Sequence, residues 1–205
     1  MTDRPGDLAP PHPELPSQHP LVFDLPKGSF LIRHHQIAHD ALYFGTTGKN
    51  RFDDPDFRSS RAFGVLYAAD DPHGAFIESC EISARAPAVS GTYLEARAIA
   101  RLELQVDMRF IDTVSTGGLR RIGVDSRLFA GSHKVAQEWS AALRAHPVKA
   151  DGIRYPARHD QTRAAYAIFS RTDSPFKVTS MGSLMDPSNR SLLNDILTTY
   201  EVDLL

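Results

Sequence analysis

Residues 31–79 read LIRHHQIAHDALYFGTTGKNRFDDPDFRSSRAFGVLYAADDPHGAFIES, and the fold turns on how this stretch is parsed. Phe30 to Ile37 alternates loosely and predicts a strand that carries Arg33. Ala41 to Phe44 suggests a second, shorter one. GTTGKNRFDDPD then supplies the Gly, Asn, Asp and Pro of a loop. Gly64 to Ala69 (GVLYAA) has the pattern of a buried strand, with Val65 and Tyr67 on one face. Asp70 or Asp71 caps a helix with Pro72 near its first position. That helix is expected to run through Ile82 and to carry Glu78.

Outward from this stretch the signals are coarser. Residues 1–20 hold six prolines and no apolar periodicity, so a poorly ordered, Pro-rich arm is expected before a single domain over 21–205. Ala98 to Val106 alternates as a strand. Ser132 opens the clearest helix, with Val135, Ala136, Trp139, Ala142 and Leu143 along one face. Gly152 to Tyr155 and Ala164 to Phe169 read as two strands joined by a polar loop, and Leu192 to Tyr200 as a terminal helix. Short strands interrupted by a few helices indicate an α+β fold rather than a regular βαβ alternation.

Composition narrows the functional classes. A formal charge of -2 and a pI near 6.5 give no electrostatic footprint for nucleic acid or an anionic membrane. No apolar run is long enough to span a bilayer, and the N-terminal residues lack the apolar core of a secretory signal, so a cytoplasmic location is expected. Cys80, the single cysteine, excludes an intrachain disulfide and offers no zinc cluster. A homodimer stays open.

Arg33, Tyr43, Arg51, Tyr67 and Glu78 sit among apolar runs and glycines rather than on solvated charged faces. That mixture suits a pocket for a phosphate-bearing, sugar-containing small molecule. Glu78 follows Gly74 and Ala75 on one helical face, where small neighbours let a ligand or a backbone approach. It reads either as a carboxylate on the floor of a recess or as an exposed helical glutamate. Arg33 is a buried structural pair or an anion clamp. Arg51, after Gly48, Lys49 and Asn50, is a phosphate cradle or a solvated turn. Tyr43 and Tyr67 are core aromatics or ligand contacts. GTTGKN is not a P-loop, because its glycines are too close and Asn50 stands where Ser or Thr is required. His34, His35 and His39 lie in a strand-like segment with poor metal spacing, so no metal is expected.

Taken in order, these pieces resemble the RES-domain proteins, which typically act as toxins of bacterial toxin–antitoxin pairs. The resemblance runs from about Phe30 to Ser170. It rests on Arg33, the Gly48 to Phe52 segment, the VLYAA strand with Tyr67, the helix bearing Ala75 and Glu78, and a late DGIRYPARHD followed by AAYAIF. It implies an ADP-ribosyltransferase-like fold, with two small β-sheets forming a cleft flanked by helices. It also implies NAD⁺ as substrate, cleaved at the nicotinamide–ribose bond, with phosphate as acceptor in some members, and a helix-turn-helix antitoxin as partner. The chain departs from the family pattern at Ala157, where a serine is expected, at Asn50, where a glycine is usual, and at Asp53, where an asparagine is common.

The chemistry agrees with that implication. As nicotinamide leaves with its bonding electrons, positive charge grows on the ribose, so an anion is needed there and cations on the pyrophosphate. Glu78 fits the first role and Arg33 and Arg51 the second, with Tyr43 and Tyr67 placed to stack on nicotinamide or bond the ribose. The same pocket would serve a protein ADP-ribosyltransferase or a catalytically weak NAD-binding module. Acceptors left open are water, phosphate and protein.

Overall fold

The alternation read in residues 64–69 organises the sheet. The computed structural model describes residues 8–80, 82, 86–170 and 175–205. Among these residues ten strands follow one another: β1 (Val22–Leu25), β2 (Phe30–Gln36), β3 (Val65–Ala69), β4 (Ala88–Val89), β5 (Arg97–Leu104), β6 (Met108–Asp112), β7 (Gly152–Ala157), β8 (Asp160–Phe169), β9 (Phe176–Gly182) and β10 (Asp203–Leu204). The helices are α1 (Pro72–Ser79), α2 (Gly91–Glu95), α3 (Gly118–Arg121), α4 (Arg127–Ala130), α5 (His133–Ala145) and α6 (Arg190–Tyr200).

The fold is α+β, but the two small sheets expected are replaced by one mixed eight-stranded sheet, ordered β1-β6-β7-β8-β3-β2-β5-β9, and a separate two-stranded pair of β4 with β10. In the large sheet only β6 and β7 run parallel. Within it β2 and β3 align at a single pair, Ile32 with Ala69. Ala41 to Phe44 is not a strand. The chain turns there and returns to the sheet through one isolated bridge, Gly45 with Val65. The polar loop expected between the late strands shrinks to a tight connection, because β7 extends to Ala157 and β8 starts at Asp160.

Strand alternation divides the core. Leu66 and Ala68 of β3 join Leu31, Leu102, Phe110 and Tyr166 on one face of the sheet. Val65 and Tyr67 point to the other face, toward Trp139 and Leu143 of α5. Farther along that second face, Ile32, Ala69 and Ile99 pack with Phe76 of α1 and Ile196 of α6. Two cores therefore share one face of the sheet.

α1 starts as read. The Asp71 carboxylate accepts from the Gly74 N–H at 2.7 Å, and Pro72 occupies the first turn, where its missing N–H costs nothing. A Cβ on Gly74 would come within 3.1 Å of the Ala69 Cβ, so glycine lets the helix lie close on β3. The helix stops at Ser79 instead of Ile82. The Ser79 hydroxyl bonds back to the Phe76 carbonyl, the Tyr93 hydroxyl takes the Ser79 carbonyl, and Cys80 is extended.

The N-terminal arm is also corrected from Leu8 onward. Leu8 and Leu15 are buried in the core beneath α5. The Trp139 indole N–H donates to the Ala9 carbonyl at 2.9 Å, and the His146 Nε2 lies 3.1 Å from the Leu15 carbonyl. The segment is therefore docked by two leucines together with contacts from Trp139 and His146. Leu15 is 2% exposed, so Leu15→Ala is expected to cost about 2–4 kcal/mol through lost burial and the cavity left behind. A lower denaturation midpoint with an unchanged slope is the expected readout, and an unchanged midpoint would show that the arm is not part of the folded unit.

Candidate functional site

Between the two cores on the shared face of the sheet lies a cavity of ≈ 360 Å³, within the range of small-molecule sites. Ile32, Tyr67 and Tyr155 come to it from the sheet, Ala75 and Glu78 from α1, and Lys49, Asn50 and Arg51 from the long loop. Arg97, Arg158 and His133 add to its polar lining, together with His34, His159 and Ser79. Four cations, Lys49, Arg51, Arg97 and Arg158, thus face one carboxylate among the described residues.

Glu78 is that carboxylate. Gly74 and Ala75, one turn earlier, are buried and hold α1 close to the sheet, which carries Glu78 to the cavity instead of to solvent. Its Oε2 accepts from the Arg158 N–H at 3.2 Å. Burial raises its pKa above the ordinary value, opposed by that N–H and by the Arg158 and Arg51 charges. Ala157, beside Arg158, is fully buried and does not line the cavity. Orientation of Glu78 in this chain therefore comes from a backbone donor, not from a hydroxyl at position 157.

Arg51 is positioned by a loop that side chains hold from both sides. The buried Asp53 carboxylate accepts from the Asn50 N–H, the Asn50 side-chain amide and the Thr47 hydroxyl, at 3.1 to 3.3 Å. From α5, the Gln137 amide donates to the carbonyls of Gly48 and Asn50, and the Ser140 hydroxyl to that of Phe52 at 2.6 Å. Gly48 has φ +68°, and a Cβ there would meet the Phe57 ring at 2.3 Å, so the turn requires glycine. Arg51 Nη1 donates to the carbonyls of Gly131 and Leu128, which fixes the plane of its guanidinium. Burial, and then the Arg158 cation, lower its pKa, yet arginine remains charged at neutral pH.

The two phenols of the cavity are neutral. Tyr67 donates to Asp53 Oδ1 at 3.1 Å and accepts from the Phe52 N–H at 3.0 Å. Burial, then the Asp53 charge, push its pKa well above the usual tyrosine range. Tyr155 packs against Phe52, with ring centroids 4.9 Å apart, and burial followed by the Glu78 charge shifts it the same way.

Glu78, Arg51 and Tyr67 are thus brought together as read from the sequence. Arg33 and Tyr43 are not. Ile32 pairs with Ala69, so Ile32 shares the face of Tyr67 and the next residue, Arg33, points to the opposite face beside Ala100. There its Nη2 donates to the Tyr43 carbonyl at 3.1 Å, and burial lowers its pKa to about 10. Tyr43 is exposed and stacks on His39 at 4.5 Å. Sequence reading missed Tyr155, Arg97 and the mounting residue Asp53. It also set aside His34, whose place beside Ile32 could have been found by following the register of β2.

Residues 30–185 match the model of the RES domain. The chain belongs to the RES-domain family. Over 94 residues it is 36% identical to the probable toxin y4kH of Sinorhizobium fredii (strain NBRC 101917 / NGR234), a span of 45% of this chain and 72% of that protein. Its fold is similar to that of a chain in the crystal structure of the M. tuberculosis MbcT–MbcA toxin–antitoxin complex, with a TM-score of 0.55 and 14% identity over 85% of this chain and 92% of that one. The RES-domain match spans β2 to β9, every element that lines the cavity. Among the described residues of this RES domain, no helix is long and apolar enough to cross a membrane. No group of three or more His, Cys, Asp or Glu among them could hold a metal ion.

Proposed function

We propose that this RES domain degrades NAD⁺ by cleaving the nicotinamide–ribose bond and acts as the toxin of a bacterial toxin–antitoxin pair. The observation that carries the reading is the cavity lining: four cations around one partly buried carboxylate, with two neutral phenols. A dinucleotide presents two phosphate charges and a ribose that becomes cationic as its base departs, and this lining offers groups for both. Glu78 stands against the developing charge at C1′. Arg51 and Arg158 take the pyrophosphate, while Tyr67 and Tyr155 wall the sugar and base. The C1′–N bond breaks with its electron pair going to nicotinamide. The acceptor oxygen, from water or phosphate, then bonds C1′ and gives its proton to solvent. A relative described as a probable toxin, and a fold shared with a chain of a toxin–antitoxin complex, support the biological half of the reading, an antitoxin partner included; that this partner carries a helix-turn-helix is part of the proposal.

Purified protein incubated with NAD⁺, with and without phosphate, tests it by release of nicotinamide. Free ADP-ribose, its 1-phosphate, or label on a protein band identify the acceptor. A raised melting temperature without nicotinamide release would mark a binding module instead. Neither release nor a thermal shift would sink the reading.

A further inference from the structure

His34 is a buried polar group that the chemistry above does not use. It lies on β2 one residue past Arg33, lines the cavity, and is 7% exposed. Its Nδ1 is 2.6 Å from the Ser79 hydroxyl, at the end of the helix that carries Glu78. Its Nε2 is buried and has no hydrogen-bond partner among the described residues. Buried ring nitrogens are ordinarily paired, so an unpaired one at the wall of a ligand cavity is an unfilled contact.

We propose that His34 is a recognition residue of this cavity, accepting through Nε2 a hydrogen bond from a neutral N–H or O–H donor of the bound nucleotide. The proposal rests on the reading of the cavity as an NAD⁺ site. The direction assigned to the bond places the Ser79 proton on the Phe76 carbonyl. The Ser79 hydroxyl has one proton and lies 3.1 Å from the Phe76 carbonyl, the acceptor one turn back that ends α1. With the proton spent there, Ser79 accepts from Nδ1–H, and the ring presents a lone pair at Nε2. Burial, aided by the neighbouring Arg97 and His35, lowers the pKa to about 3, so the ring is neutral throughout the working range. A neutral acceptor next to four cations is suited to reading an uncharged donor: the carboxamide N–H of nicotinamide or a ribose hydroxyl.

The test measures affinity in a Glu78→Gln background, so that the ligand survives, with and without His34→Ala. The probes are NAD⁺, its 3-acetylpyridine analogue, which keeps the carbonyl but lacks the amide N–H, and ADP-ribose, which lacks the base. His34→Ala is expected to weaken NAD⁺ binding about tenfold, the scale of one hydrogen bond. Weakening confined to NAD⁺ assigns the bond to the carboxamide N–H, and weakening of all three probes assigns it to a ribose hydroxyl. His34→Gln, whose amide oxygen reaches about as far as Nε2, recovers affinity in either case, which a merely structural role would not produce. Loss of NAD⁺ and analogue but not ADP-ribose would mean that Nε2 donates to the carbonyl, overturning the acceptor role. Unchanged NAD⁺ affinity in a folded His34→Ala variant overturns the proposal alone. Absence of NAD⁺ binding with His34 intact overturns the reading of the cavity and this proposal with it.

Discussion

Glu78→Gln is expected to lower NAD⁺ consumption by about 10²- to 10³-fold, the scale for one preorganised electrostatic group. Glutamine keeps the shape of the side chain and an oxygen for the Arg158 N–H, so the loss isolates the charge. The same substitution is expected to stabilise the fold near neutral pH. Burial raises the Glu78 pKa in the folded state above its ordinary 4.5, so the folded chain holds this proton to higher pH than the unfolded chain. The favourable contribution is fully present below the unfolded value and is lost as pH rises through the folded one. Glutamine removes that loss. The variant should melt above wild type at pH 7, with the gap closing below pH 4.5. Unchanged NAD⁺ loss in the purified variant would remove Glu78 from the chemistry, and a variant that melts lower at pH 7 would contradict the burial argument.

What could be read in the residues was whatever is local. The Asp71 cap, Pro72 and the small residues before Glu78 specify α1 and the direction in which it presents its carboxylate. The GVLYAA run specifies β3 and places Tyr67 on the face of Val65. Arg33 lies outside the cavity for a reason of register: side chains alternate, and only the pairing of Ile32 with Ala69 decides that His34 faces the cavity and Arg33 does not. The strand expected over Ala41 to Phe44 failed because an apolar run of four residues is too short to distinguish a strand from a turn. Arg97 was invisible as a site residue because strand β5 reaches the cavity only through long-range pairing. The arm was misjudged because proline content reports on backbone and not on burial, and Leu8 and Leu15 dock through α5 contacts that lie far away in the chain.

Asp53→Ala is expected to be the most damaging polar substitution near the site, costing about 3 kcal/mol or more, because buried donors left without an acceptor cost about 1–3 kcal/mol each. The Asn50 N–H, the Thr47 hydroxyl and the Tyr67 hydroxyl all end on this carboxylate. Its removal frees the turn that holds Arg51 and withdraws the acceptor that aims Tyr67, so one truncation disturbs two walls of the cavity. Asp53→Asn should cost less, since one amide oxygen can still accept, but its NH₂ must face one of the donors now served by the second carboxylate oxygen. The order of stability is therefore wild type, then asparagine, then alanine, read from denaturation midpoints with equal slopes. NAD⁺ affinity should fall in the same order, and further for alanine than for the buried but site-remote Leu15→Ala, which leaves the loop's anchors on α5 intact. A folded Asp53→Ala protein that matches wild type within about 0.5 kcal/mol, the range of neutral surface changes, would show that Gln137 and Ser140 alone hold the loop. An equal loss of NAD⁺ affinity in Leu15→Ala would show that general stability, and not the mounting of Arg51, governs binding.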